Sequence, residues 1–157
     1  GSVSLRKLAD EALDLLGWEL DHAGVVGRVE EAPDTPEAAA DSDQIFHAVI
    51  NLLRNAVHAM PHGGELHIRL RGVPYGVEMA IVDTGVGMSE DVLAHAHEAF
   101  YTTKTNGSGL GLTIASQIAR DHSGEVRIES REGEGTTVAL RLPAATEGEA
   151  DAQDPDH

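Results

Sequence analysis

No cysteine occurs in the 157 residues, which removes disulfides, thiolate nucleophiles and cysteine zinc sites together. Positive charge is scarce as well: 11 Lys+Arg stand against 27 Asp+Glu, for a formal charge of −16. So acidic a surface repels phosphate backbones, and without a basic run anywhere in the chain DNA and RNA drop out as partners. No apolar run approaches the ~20 residues of a membrane helix, and no internal repeat is present. What is there is 41% hydrophobic and 24% charged, a composition that supports one packed domain of a soluble protein. Gly1-Ser2 reads as a cloning scar on a piece excised from something longer. The folded domain is expected over 3–143 and an acidic disordered tail over 144–157, because Glu147 to His157 holds five acids and no Lys or Arg.

Hydrophobic spacing organises the domain. Leu5, Leu8, Ala9, Ala12, Leu15 and Leu16 recur at helical intervals, predicting a helix over 4–20. A strand follows over 25–30, then a loop or short edge piece over 31–40 containing Pro33 and Pro36. Asp41 or Ser42 caps a second helix whose stripe is Ile45, Val49, Leu52, Leu53, Ala56 and Met60, ending before Pro61. Strands over 65–72 and 77–83, a short helix over 89–96, a polar connection over 98–109, a helix to about 122 and strands over 124–130 and 135–142 complete the chain. The expected architecture is α+β: a two-layer sandwich with about three main helices on one face of a mixed, largely antiparallel sheet of about five strands.

Four segments could carry chemistry. On the second helix His47, Asn51, Asn55 and His58 lie along one face opposite the apolar stripe. Asparagine is a poor helix former, so the line is either a solvated face or a pair of amides aimed at a cleft where oxygen ligands meet Mg²⁺ and phosphates. Asp83-Thr84-Gly85-Val86-Gly87-Met88 ends an apolar strand, either as a turn or as a buried carboxylate that accepts from a ligand amine. Phe100-Tyr101-Thr102-Thr103-Lys104 offers an aromatic anchor, hydroxyls and a cation that could meet a terminal phosphate or simply face water. Gly107-Ser108-Gly109-Leu110-Gly111-Leu112 runs into a helix, as a flexible loop or as an anion cradle of free N–H groups. It matches neither GxxxxGK[ST] nor GxGxxG after a strand, which excludes the P-loop and Rossmann assignments.

Taken together and in this order, the four segments resemble the catalytic and ATP-binding domain of bacterial sensor histidine kinases, within the superfamily of gyrase, Hsp90, histidine kinase and MutL. Asn51-Leu52-Leu53-Arg54-Asn55-Ala56 resembles the N box and Asp83 to Gly87 the G1 box. Phe100 to Lys104 resembles the F box and Gly107 to Leu112 the G2 box. The resemblance covers about residues 3–143.

It implies a Bergerat-type sandwich that binds ATP and Mg²⁺ between the helical layer and a lid. Asn55 would coordinate Mg²⁺, with Asn51 near the metal or phosphates and Lys104 in the lid, these three being the catalytic set. Asp83 would bond the adenine amine, helped by Thr136, while Gly85 and Gly87 would let adenine and lid pack closely. His58, Met88, Thr102, Thr103, Gly107, Gly109, Leu110, Gly111 and Leu112 would complete the ATP-binding set. The implied partners are a histidine-bearing dimerisation domain of the same kinase and a downstream response regulator. The implied setting is the bacterial cytoplasm, with this domain monomeric and without membrane contact, inside a homodimeric parent that is soluble or membrane-anchored.

Two departures stand out. His97 and Ala99 occupy positions where the F box usually has phenylalanine and proline, and no phosphoacceptor histidine motif is present. His58 and His62 have the HxxxH spacing, but Pro61 breaks the helix between them. The hydrolytic relatives carry a glutamate base where this chain has Asn51, which favours phosphoryl transfer to a partner over attack by water. The alternatives are a non-catalytic nucleotide-binding and partner-binding module, and a gyrase-like or Hsp90-like ATPase.

Overall fold

A computed structural model of the chain describes residues 1–94 and 110–146. After the short strand β1 (Ser2–Val3), Ser4 caps α1 (Leu5–Leu15) by accepting on Oγ from Lys7 N at 3.2 Å. Leu5, Leu8, Ala9 and Ala12 form the buried stripe of α1. The continuous helix expected over 4–20 is broken at Leu16, and Gly17 opens a separate short helix, α2 (Gly17–Ala23). Glycine is the weakest helix former in that run. The break turns Leu15 and Trp18 outward, 62% and 69% exposed, while Leu16 and Leu20 enter the core.

Next come β2 (Val25–Glu31), β3 (Ala38–Ala39) and α3 (Ser42–His58). Asp41 caps α3 through Oδ1 and Gln44 N at 3.1 Å, and Ile45, Ala48, Val49, Leu52, Leu53 and Ala56 are buried along it. Each buried Ile, Val or Leu among them contributes roughly 1.5–3 kcal/mol over an exposed one, far more than helix propensity supplies, so packing overrides the two asparagines. The hairpin β4 (Gly64–Val73) and β5 (Gly76–Asp83) leads to helical residues 90–94 (α4), then α5 (Leu110–Asp121), β6 (Glu125–Arg131) and β7 (Gly135–Pro143).

The main sheet runs β2-β4-β5-β7-β6, with β2 parallel to β4 and every other pair antiparallel. Alternation sorts the two faces. Leu66, Ile68, Leu70, Val77, Met79, Ile81, Val138, Leu140 and Leu142 are buried in one core with α1, α3 and α5. The opposite face is charged, and there Glu78, 6% exposed, is held between Arg71 Nε at 2.9 Å and Arg141 Nε at 2.6 Å.

Pro143 does not end the fold. Ala144 bridges Ala38, and Ala145 N donates to Glu37 O at 2.8 Å, so 144 and 145 belong to the folded body and not to the tail expected from 144. Residues 147–157 lie outside the described residues.

Candidate functional site

The inward rows of β5, β6 and β7 all end in polar residues at the same edge of the sheet. Met79 and Ile81 lead to Asp83, Ile128 leads to Ser130, and Val138 is preceded by Thr136. Asp83 lies directly opposite Thr136 across β5 and β7, and Ser130 opposite Thr136 across β6 and β7. Asp83 and Thr136 are 4% and 6% exposed. Asp83 Oδ1 accepts from Gly85 N at 2.9 Å and Thr136 N at 3.2 Å, while Oδ2 accepts no hydrogen bond among the described residues. Burial pushes the Asp83 carboxyl above its usual value, and the Gly85 and Thr136 N–H groups pull against that rise. A carboxylate is thus fixed on one oxygen and open on the other.

The loop after Asp83 is fastened to the end of α3. Val86 N donates to Ala59 O at 3.1 Å, and Ala59 N donates to Asn55 O at 3.1 Å, which puts Asn55 one helical turn from that loop. A Cβ on Gly85 would overlap Ala59 O, and a Cβ on Gly87, at φ 69°, would overlap Arg131 O. The two glycines therefore let the chain approach its own backbone. The closeness expected of them toward a ligand is, among the described residues, an approach of loop to helix and of loop to β6.

On α3 the expected polar face is partly sheltered, with Asn51 and Asn55 half-buried between exposed His47 and His58. Asn51 Nδ2 donates to His47 O at 2.9 Å. Asn55 Nδ2 is buried and has no partner among the described residues. A buried, unpaired amide is costly unless a ligand completes it. That observation fits Asn55 to phosphate or metal chemistry, with N–H to a phosphate oxygen and Oδ1 to a cation.

Helix α5 closes the remaining side. Asp41 N, at the start of α3, donates to His122 Nε2 at 3.2 Å, just past the end of α5, and His122 Nδ1 is 2.8 Å from Ile118 O. The two packed helices are thus antiparallel. With a rise of ~18 Å over its 12 residues, α5 brings its N-terminus to about the level of Leu53 to Asn55. Its backbone starts at Leu110 and Gly111, and Leu112 is buried in the core. Thr102, Thr103, Lys104, Gly107 and Gly109 lie outside the described residues, as do His97, Ala99 and the rest of the F box.

The structure therefore brings together Asp83, Gly85, Gly87 and Thr136 with the end of α3. Ser130 was missed by the motif reading. Its Oγ accepts from Met88 N at 2.9 Å and lies 2.7 Å from Thr136 Oγ1 and 3.1 Å from Gly135 O. The signal for it was a serine on the inward face of a strand, in line with Ile128.

The family described as histidine kinase-, DNA gyrase B- and HSP90-like ATPase matches residues 40–146. The chain belongs to that family. Sporulation kinase E of Bacillus subtilis (strain 168) is 34% identical over 140 residues, covering 88% of this chain and 19% of that protein. The catalytic domain of histidine kinase ThkA superposes with a TM-score of 0.77 at 27% identity, covering 92% of this chain and 95% of that one. Full-length ShkA in complex with AMPPNP superposes at 0.80 with 25% identity, covering 93% of this chain and 31% of that one. Within the family, the chain is thus similar to the ATP-binding catalytic domain of sensor histidine kinases, and its α+β sandwich is theirs. It spans about a fifth to a third of the length of the curated relatives it matches.

Proposed function

We propose that this domain binds Mg-ATP and donates the γ-phosphoryl group to a histidine on a separate dimerisation domain, in two-component signalling. The observation that carries the reading is the half-satisfied Asp83 carboxylate, anchored by Gly85 N and Thr136 N, together with the loop that follows it, which is bonded to α3 one helical turn beyond Asn55, whose buried Nδ2 lacks a partner among the described residues. Asp83 reads the adenine amine through its open oxygen, and Thr136 stands beside it. Asn55 and Asn51 supply amide oxygens for Mg²⁺, which when bound neutralises phosphate charge and favours the departure of ADP. The N-terminal end of α5, at about the level of Leu53 to Asn55, suits an anion. Gly107, Gly109, Thr102, Thr103 and Lys104 are assigned by resemblance to the lid over the phosphates, with His58, Met88, Leu110, Gly111 and Leu112 around the nucleotide.

Amides do not accept a proton from water, so Asn51 gives hydrolysis no general base. The acceptor and its base come from the partner chain, whose histidine-bearing helices belong to the rest of the kinase, and a response regulator takes the phosphoryl group next. No helix of the described residues is long and apolar enough to cross a membrane. Transfer to a response regulator, in this reading, belongs to the bacterial cytoplasm.

The test is incubation with γ-labelled ATP, with and without the histidine-bearing dimer as a separate chain. Acid-labile label is expected on the dimer only, because phosphohistidine is lost in acid. Acid-stable label on this chain alone would mark it as a serine kinase. Nucleotide binding without any transfer would leave it a binding module.

A further inference from the structure

We propose that Ser130 is a positioning residue that holds the Thr136 hydroxyl as a hydrogen-bond acceptor, and that it thereby sets the pocket's preference for an amine over a carbonyl at the purine 6-position. The inference rests on the adenine reading of Asp83 above. It follows from counting protons. Ser130 Oγ has one proton and three neighbours: Met88 N at 2.9 Å, Gly135 O at 3.1 Å and Thr136 Oγ1 at 2.7 Å. Met88 N can only donate and Gly135 O can only accept, so all three contacts are hydrogen bonds at once only in the arrangement that sends the serine proton to Gly135 O. The remaining contact then needs its proton from Thr136, whose hydroxyl is spent on Ser130 and keeps only lone pairs for the cleft.

Asp83 Oδ2, across the β5–β7 pair, is also an acceptor. Asp83 and Thr136 therefore present two acceptors to the base. An exocyclic amine, with two N–H groups, complements that pair. A carbonyl oxygen in its place meets two acceptors, and a site built to pair one hydrogen-bonding pattern rejects the reverse. Ser130 also ties Met88 N to β6, so one hydroxyl links the loop after Asp83 to the strand beside Thr136. Truncation to alanine frees the Thr136 proton to turn into the cleft and donate, and the carbonyl is then tolerated.

The experiment is calorimetry of Mg-ADP and Mg-inosine diphosphate, which carries a carbonyl where ADP carries the amine. The proteins are the parent chain, Ser130→Ala, Ser130→Thr, Thr136→Val and the double variant. Ser130→Ala should shrink the ADP preference by about 3- to 10-fold, the scale of one neutral hydrogen bond. Ser130→Thr, which keeps the hydroxyl, should restore it. In the Thr136→Val background, Ser130→Ala should leave the preference unchanged, since it acts through the missing hydroxyl. If Ser130→Ala does not fold, Ser130→Cys, with a weaker donor and acceptor, is measured in its place and should shift the preference the same way. Equal weakening of both nucleotides, with the preference unaltered, would overturn the assignment and leave Ser130 a structural serine. A parent chain that binds neither nucleotide would overturn the adenine reading itself, which separates the two failures.

Discussion

Asp83 and Thr136 face each other across β5 and β7, and the backbone N–H of Thr136 is bonded to Asp83 Oδ1 at 3.2 Å. The strand pairing that closes the sheet thus also aims the carboxylate. Because burial raises the Asp83 pKa, the ionised form is held in the fold at a cost, and this has opposite consequences for stability and binding. Above its raised value the cost is present in full, and it fades as pH falls from there to the unfolded value, below which it is gone. Asp83→Asn should therefore leave the melting temperature of the free domain at pH 7 unchanged or higher, with the advantage shrinking as pH falls into the acid range. ADP affinity should drop by roughly 10- to 150-fold, the worth of a hydrogen bond to a charged group. Paired calorimetry and thermal melts check both signs, and equal ADP binding by mutant and parent would remove Asp83 from adenine recognition.

The legible parts of this fold are those where local chemistry and packing agree. Asp41 is followed by an apolar stripe and opens α3 as expected, and the alternation in β4, β5 and β7 gives their inward rows directly. The break at Leu16 was not legible, because Leu15 and Leu16 both fit the helical period and only the packed structure shows which of them is buried. The site motifs were legible as an ordered set and much less so as contacts. Gly85 and Gly87 read as room for a ligand, yet the space they leave is taken by Ala59 O and Arg131 O, carbonyls distant in sequence. Ser130 went unseen for a related reason: its three hydrogen-bond neighbours come from the loop after β5 and from β7, and no sequence spacing joins them.

Asn55→Ala removes a buried N–H that has no partner among the described residues, so stability should change by no more than ~1 kcal/mol. Nucleotide binding should lose most of its Mg²⁺ enhancement, since alanine offers no oxygen. Titrating ADP with and without Mg²⁺ separates the effects. A mutant with the full enhancement would exclude Asn55 as a metal ligand.

Gly85→Ala places a methyl against Ala59 O, which is fixed at the end of α3 by its bond to Val86 N. Neither backbone can yield cheaply, and overpacking of this kind costs about 1–3 kcal/mol. The loop should shift off α3, weakening both the chemical-denaturation midpoint and ADP binding. A mutant with the parent's midpoint would show that loop and helix are not held together as described.

Glu78 gives the outer face of the sheet its own pH dependence, far from the nucleotide chemistry. Burial works against its charge, but hydrogen bonds from Arg71 and Arg141, with their attraction, hold its carboxyl below the ordinary 4.5. A carboxyl depressed in the folded state adds stability that is present in full above its unfolded value and is lost as pH falls through the folded one. Glu78→Gln should accordingly lower the melting temperature at pH 7, by roughly 2–6 °C, a modest figure because Arg71 is largely exposed and water screens the pair. The gap between parent and mutant should narrow as pH falls below about 4.5, toward the lower value at which the folded parent's glutamate takes up its proton. Melts at neutral pH and in the acid range decide it. A gap that stays constant down to full protonation would mean that Glu78 stabilises the sheet through its shape, with no contribution from its charge.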